Sequence, residues 1–166
     1  MSERRSAQSV SNWLLCLVDE ALVQAGRDPI NRAYVAAGQI AWDDCCGMLV
    51  VAPERVYRSV EFPNEANGPE YCDKGEITLD LVALLVRCVP VVNDRGQAPS
   101  GKDLNDSYTS ILEDAAIVWN SIDCADLPPD WMRANLSQTF VGAQGGCIGV
   151  ETRVTIGLSQ KVWSIT

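Results

Sequence analysis

The chain has 166 residues and a net charge of −9, with 47% hydrophobic and 21% charged residues. This is enough for one domain with a real core and short for two. The acidity opposes sequence-reading contacts to DNA or RNA. A histidine count of zero removes His–Ser and His–Cys catalytic pairs, imidazole metal ligands and the usual pH switch.

Residues 7–25, AQSVSNWLLCLVDEALVQA, predict a first helix, with Val10, Trp13, Leu14, Leu17, Ala21 and Val23 on a broad apolar face. Gly26 suits the position just past its end, and Pro29 prevents continuation. Residues 27–38 read as a loop or short helical turn. Residues 46–60 predict a strand in which Pro53 marks an edge or a bulge. Residues 61–75, EFPNEANGPEYCDKG, read as a long loop between strands, and a loop of this length usually has a task. Residues 76–92 give the strongest strand. Ile77, Leu79, Leu81, Ala83 and Leu85 share one face, and Thr78, Asp80, Val82, Leu84 and Val86 share the other. Its second half is therefore expected to be covered on both sides.

Residues 93–101 are a turn-rich linker. Ser100 starts a second helix over residues 102–122, whose stripe is Leu104, Tyr108, Ile111, Ala115, Val118 and Ile122. The strands SQTFVGA (137–143) and CIGVETRVTIGL (147–158) flank Gly145-Gly146 and predict a hairpin. Val162, Trp163 and Ile165 in the tail are apolar and expected to pack. The expected fold is α+β: one domain over residues 1–166, a four-stranded, mainly antiparallel sheet with two main helices on one face, in the order α-β-β-α-β-β.

No run reaches the roughly 18 apolar residues of a membrane span, and MSERRSAQSV has no apolar signal core. Synthesis in a reducing cytosol follows, with the seven cysteines (Cys16, Cys45, Cys46, Cys72, Cys88, Cys124, Cys147) read first as buried free thiols, then as one or two disulfides. Metal ligation comes last, because no C-x2-C pair is present. GQAPSGKD (96–103) falls one residue short of a phosphate-binding loop. Asp103 stands where a hydroxyl should hold magnesium and Pro99 removes one N–H, so a helix cap is the better reading. The acids concentrate in residues 33–73 and 100–130, with seven in each stretch. Asp43-Asp44 and Glu113-Asp114 read as solvated acidic surface rather than as paired catalytic or cation-binding carboxylates. Of five tryptophans, Trp13 and Trp119 are assigned to packing. Trp42, Trp131 and Trp163, near segment ends, are candidate subunit-interface anchors.

Four phrases, IAWDDCCGML (40–49), LVRCVPV (85–91), DAA (114–116) and GGCIGV (145–150), carry a resemblance. Across about residues 8–158 the chain resembles the tail terminator, or tail completion, proteins of long non-contractile-tailed phages of actinobacterial hosts. The resemblance implies an α/β sandwich with helices on one side and no catalysis or cofactor. It implies a homohexameric ring at the neck of the virion, assembled in the host cytoplasm. The ring would cap the tube of major tail tube protein, end its growth and offer a surface to the head–tail stopper or connector. Genomic DNA would pass through the lumen without sequence-specific binding, and no membrane is involved. Loop 61–75, with Phe62, Glu65, Tyr71 and Asp73, is the candidate axial contact, mobile in the free subunit and ordered on docking. A stopper or adaptor of the same neck is the alternative, and a cysteine-rich intracellular binding or redox module a second.

Overall fold

The computed structural model describes residues 6–42 and 46–159. Helix α1 spans Ala7–Gln24. Ser6 caps it reciprocally: its side chain accepts from the Ser9 N–H, and the Ser9 hydroxyl oxygen accepts from the Ser6 N–H. Val10, Leu14, Val18 and Leu22, four residues apart, are its buried stripe. The helix ends in a Schellman turn. Gly26, at φ +68°, donates to Val23, and the Arg27 N–H reaches the Leu22 carbonyl at 3.0 Å. Helix α2 spans Gly101–Asp123 and is capped by Ser100, which accepts from the Asp103 N–H.

The strands are β1 (Arg32–Val35), β2 (Met48–Glu61), β3 (Asn64–Glu65), β4 (Glu76–Cys88), β5 (Trp131–Gln144) and β6 (Cys147–Leu158). They form a six-stranded sheet of order β1-β2-β4-β6-β5, with β3 paired to the end of β2. All pairings are antiparallel except β1 with β2. The mixed α+β class, two helices and mostly antiparallel sheet match the expectation; the count of four strands and their order do not. β1 lies within residues 27–38, expected as a loop or short helical turn. β3 and a single 3-10 turn at Pro69–Tyr71 lie inside the segment read as unstructured. β5 begins at Trp131 rather than 137, because a register shift between Ala134 and Ser137, with Asn135 at φ +52°, breaks its alternation. Pro53 sits at a bulge beyond the reach of β1, so its missing N–H faces no ladder. Gly145 and Gly146, at φ +55° and +83°, close the β5–β6 hairpin in the mirror-image turn its strand twist requires.

Both helices pack on one face of the sheet, where their stripes meet Leu49, Val51, Leu79, Leu81, Leu85, Val150, Val154 and Ile156. On the other face a smaller cluster of Met48, Val50, Leu84, Val86 and Cys147 lies under Tyr34, Ala36, Ile40 and Trp42. The second half of β4 is thus covered on both sides.

Two expectations about charge and thiols need correction. Asp114 is not solvated: it is 1% exposed and accepts from Arg27 and, at 2.8 Å, from Arg87. The first carboxylate oxygen takes the arginine that follows α1, and the second takes the arginine near the end of β4. Arg27 also binds Glu113 and the Ser110 carbonyl. The Asp114 carboxylate holds the Arg27 guanidinium in its charged form beyond its ordinary range. The cysteines, in turn, are not buried free thiols. Cys46 and Cys88 form a disulfide across the β2–β4 register, and Cys147 is also disulfide-bonded. Cys16, Cys72 and Cys124 are free and exposed. Asp43, Asp44, Cys45 and the tail with Trp163 lie outside the described residues.

Replacing Asp114 with Ala leaves the largely buried Arg87 guanidinium without its carboxylate partner and Arg27 with Glu113 alone. It is expected to cost about 3–5 kcal/mol in urea unfolding, more than Glu113→Ala on the solvent side. Removing the Cys46–Cys88 bridge by a double Cys→Ala change opens a 42-residue separation and is expected to cost about 4 kcal/mol in the same measurement.

Candidate functional site

The face of the sheet away from the helices carries the residues that sequence reasoning placed at interfaces. Every second residue of β6 points there: Cys147, Gly149, Glu151, Arg153, Thr155 and Gly157. Two of these are glycines, and each is a slot for an aromatic ring. A Cβ on Gly149 would meet the Trp42 ring at 2.8 Å, and a Cβ on Gly157 would meet the Phe62 ring at 2.7 Å. Trp42 thus fixes the segment after β1 over one end of the sheet. Phe62 fixes the start of the 62–75 arm over the other.

The arm is held by more than Phe62. The Tyr57 hydroxyl lies 3.1 Å from the Pro63 carbonyl, Ala66 donates to the Arg58 carbonyl, and the Arg58 guanidinium donates to the Lys74 carbonyl. Arg55 pairs with Glu65 at 3.1 Å. Gly75, at φ +74°, passes so close to the Ser59 carbonyl that no side chain fits. The segment read as a long loop is a folded arm with its own strand and 3-10 turn. The arm is anchored at both ends and exposed at its tip.

Beside the Trp42 segment lies an open hollow of about 490 Å³, floored by Val82, Leu84 and Pro53 and walled by Trp42, Glu54, Gln144 and Glu151. Its charges are mutually engaged. Arg153 forks to Glu54 at 3.1 Å and to Glu151 at 2.7 Å. These two carboxylates, Glu54 first, keep its guanidinium charged beyond its ordinary range. Asp80 is a second hub: Thr155 donates to it at 2.7 Å, Arg55 pairs with it at 3.2 Å, and the Tyr57 hydroxyl lies at 3.3 Å. Burial, reinforced by the Asp80 charge, pushes the Tyr57 phenol up from its ordinary value. Such closed networks position backbone; no nucleophile here stands beside a free base. Among the described residues no three His, Cys, Asp or Glu side chains converge as a metal would need.

The named candidates divide. Glu65 and Asp73 are exposed on the arm, and Tyr71 is half-buried at the end of its 3-10 turn. Phe62 is spent on Gly157. Trp42 is half-buried over Gly149. Trp131 meets Trp13 edge-to-face, with ring centroids 5.2 Å apart, and so ties the start of β5 to α1. Exposed acids are spread over the molecule, Glu20, Asp28 and Asp94 among them, and two groups stand out. Glu61, Glu65, Glu70 and Asp73 are exposed on or beside the arm, whereas Asp103, Asp106, Glu113 and Asp123 are exposed on α2. Phe62 lies on one face of the sheet and α2 on the other, so the two groups cannot line one surface together.

Sequence reasoning missed Gly149, Gly157, Asp80 and Arg153. The signal was present for the glycines, which interrupt one face of an otherwise regular strand and so mark close approach of another group. No helix among the described residues is long and apolar enough to cross a membrane. No family model and no curated protein matches the chain.

Gly157→Ala is expected to displace Phe62 and cost about 1–3 kcal/mol, with faster proteolysis within residues 62–75. Phe62→Ala in the same background should remove most of the added cost. Tyr57 should ionise above the ordinary tyrosine range. Because its folded-state pKa is raised, the stability it contributes is complete below about pH 10 and is lost as pH rises through that raised value. Ultraviolet titration of the chain against Tyr57→Phe should show the late-titrating phenol disappear.

Proposed function

We propose that the chain is a structural subunit of a phage neck, a terminator-type ring that caps the tail tube, stops its polymerisation and joins it to the head-side connector. The single observation that carries this reading is a sheet open at two opposite edges, β1 and β5, with both helices on one face. A wedge with two different exposed flanks can join head to tail into a closed ring.

The four phrases of the resemblance support it further, because they converge in space. Trp42 covers Gly149, Met48 pairs with Val86 in the strand register, Cys46 is bonded to Cys88, Cys88 lies opposite Cys147, and Arg87 binds Asp114. What the phrases share is a corner of the fold rather than a reactive site, as suits a protein whose work is assembly. The open sheet with two long helices weighs against the small β-barrel of a stopper.

Charge fits passage of DNA. Six copies at −9 bring about −54 charges around the channel, which repel phosphate and keep the duplex from sticking. One acidic surface, on α2 or on the arm, would face the lumen and the other an axial partner. A lumen lined by Lys and Arg would contradict this. The exposed arm tip with Glu65, Tyr71 and Asp73 is the axial contact of this reading.

Native mass should be about 108 kDa for the ring, six times 18.1 kDa, either free or on tail tubes. Deleting residues 64–69 should leave heads and tails unjoined in particles assembled with the variant. Tails of normal length joined to heads would remove the arm from the contact.

A further inference from the structure

Three cysteines meet at one corner of the sheet, and the strand register sets which of them can bond. Cys46 and Cys88 lie two residues beyond the Met48–Val86 pair of the β2–β4 ladder and are bonded across it, with Cα atoms 4.9 Å apart. On the other side of β4, Cys88 lies opposite Cys147 of β6. In the next pair outward the Val89 N–H donates to the Gly146 carbonyl at 2.8 Å, so Cys88 and Cys147 form a non-hydrogen-bonded pair. Such pairs hold their Cα atoms about 4.5 Å apart with both side chains on one face, within the span of a disulfide. Cys88 therefore has a partner within reach on each side. The bonds differ in access. Cys46 and Cys88 are exposed, and both line an open hollow of about 480 Å³ together with Asn31, Arg87, Ser107 and Ser110. Cys147, also disulfide-bonded, is 5% exposed and packs with Met48, Val50, Leu84 and Val86.

We infer that this corner is a thiol–disulfide exchange site for a small monothiol, at which Cys46 takes the adduct and Cys88 changes partner from Cys46 to Cys147. A thiolate entering the hollow attacks the Cys46 Sγ. The bond between the incoming sulfur and Cys46 forms, the Cys46–Cys88 bond breaks, and Cys88 leaves as a thiolate. That thiolate stands beside Cys147 and attacks its Sγ. The Cys88–Cys147 bond forms and the bond that Cys147 held breaks. The sulfur displaced from Cys147 leaves as a thiolate and takes up the proton that the incoming thiol gave up. Two disulfides and one thiol go in, and two disulfides and one thiol come out, so the exchange needs no oxidant or reductant. Attack on Cys88 instead leads back to the start, because the released Cys46 thiolate expels the small thiol and restores the bond. The exchange unties the segment that follows Trp42 from β4 and ties β4 to β6 in its place. Asn31, which donates to the Cys46 carbonyl at 2.7 Å and to the Gly47 carbonyl at 2.8 Å, keeps the start of β2 in position meanwhile. The inference does not depend on the ring reading.

The test is mass-spectrometric mapping of unreduced peptides from the full chain. The free Cys16, Cys72 and Cys124 are alkylated first, the chain is incubated with reduced glutathione, and exchange is stopped with acid. Glutathione should appear on Cys46. Loss of the Cys46–Cys88 peptide pair should be matched by an equal gain of Cys88–Cys147, with unchanged circular dichroism. Cys46→Ser leaves Cys88 without its first partner and should carry Cys88–Cys147 with no glutathione added. A treated chain that keeps Cys46–Cys88, or that loses it while Cys147 keeps its first bond, would overturn the inference. A folded Cys46→Ser chain in which Cys88 stays a thiol would overturn it as well. So would exchange that appears only as the circular dichroism signal is lost, since unfolding and not the register would then bring the sulfurs together. If Cys46→Ser does not fold, the wild-type map decides alone.

Discussion

The buried carboxylate of Asp114 is the constraint on which the arrangement of this protein depends. It sits on the inward flank of α2 and takes one arginine from the turn after α1 and one from the end of the central strand β4. A charge at 1% exposure persists only when it is paired and hydrogen-bonded, so the helices and sheet can take only the relation that satisfies all three groups. Apolar stripes alone would let α2 slide along the sheet; the arginine fork fixes its position.

A second set of constraints works on the far face. Gly149 and Gly157 are places where the sheet withholds a side chain, and Trp42 and Phe62 fill them. Each ring adds an apolar anchor to its segment. Between them the carboxylates of Glu54, Glu151 and Asp80 are occupied by Arg153, Arg55 and Thr155. These charges hold one another in a fixed geometry on this face. Many of the chain's acids outside these networks are exposed on the arm and on α2.

Much of this was legible in the sequence where one physical signal dominated. Helical spacing in α1 and the alternation along β4 and β6 are local, and they placed these elements to within a few residues; the face read for α1 nonetheless included Val23, which is 66% exposed, and lacked the buried Val18 and Leu22. β1 was hidden because Arg32–Val35 is four residues long and owes its extension to pairing with β2. The first half of β5 was hidden by its bulge at Asn135. The disulfide was out of reach for a different reason. Cys46 and Cys88 are 42 residues apart, and only the register that sets Met48 against Val86 brings them together. Asp114 was misread because its partners, Arg27 and Arg87, come from two other elements, which no spacing along α2 reveals. The candidate site was half legible: Phe62 and Trp42 stood out as large rings in polar surroundings. That their partners are glycines of β6 was not evident.

The central claim is that this fold is a wedge of a neck ring. Electron microscopy of the assembled particle, with the chain located in the density, tests it most directly. The account predicts a closed ring of this subunit between the tail tube and the connector. Density that places the chain away from the head–tail junction would contradict it.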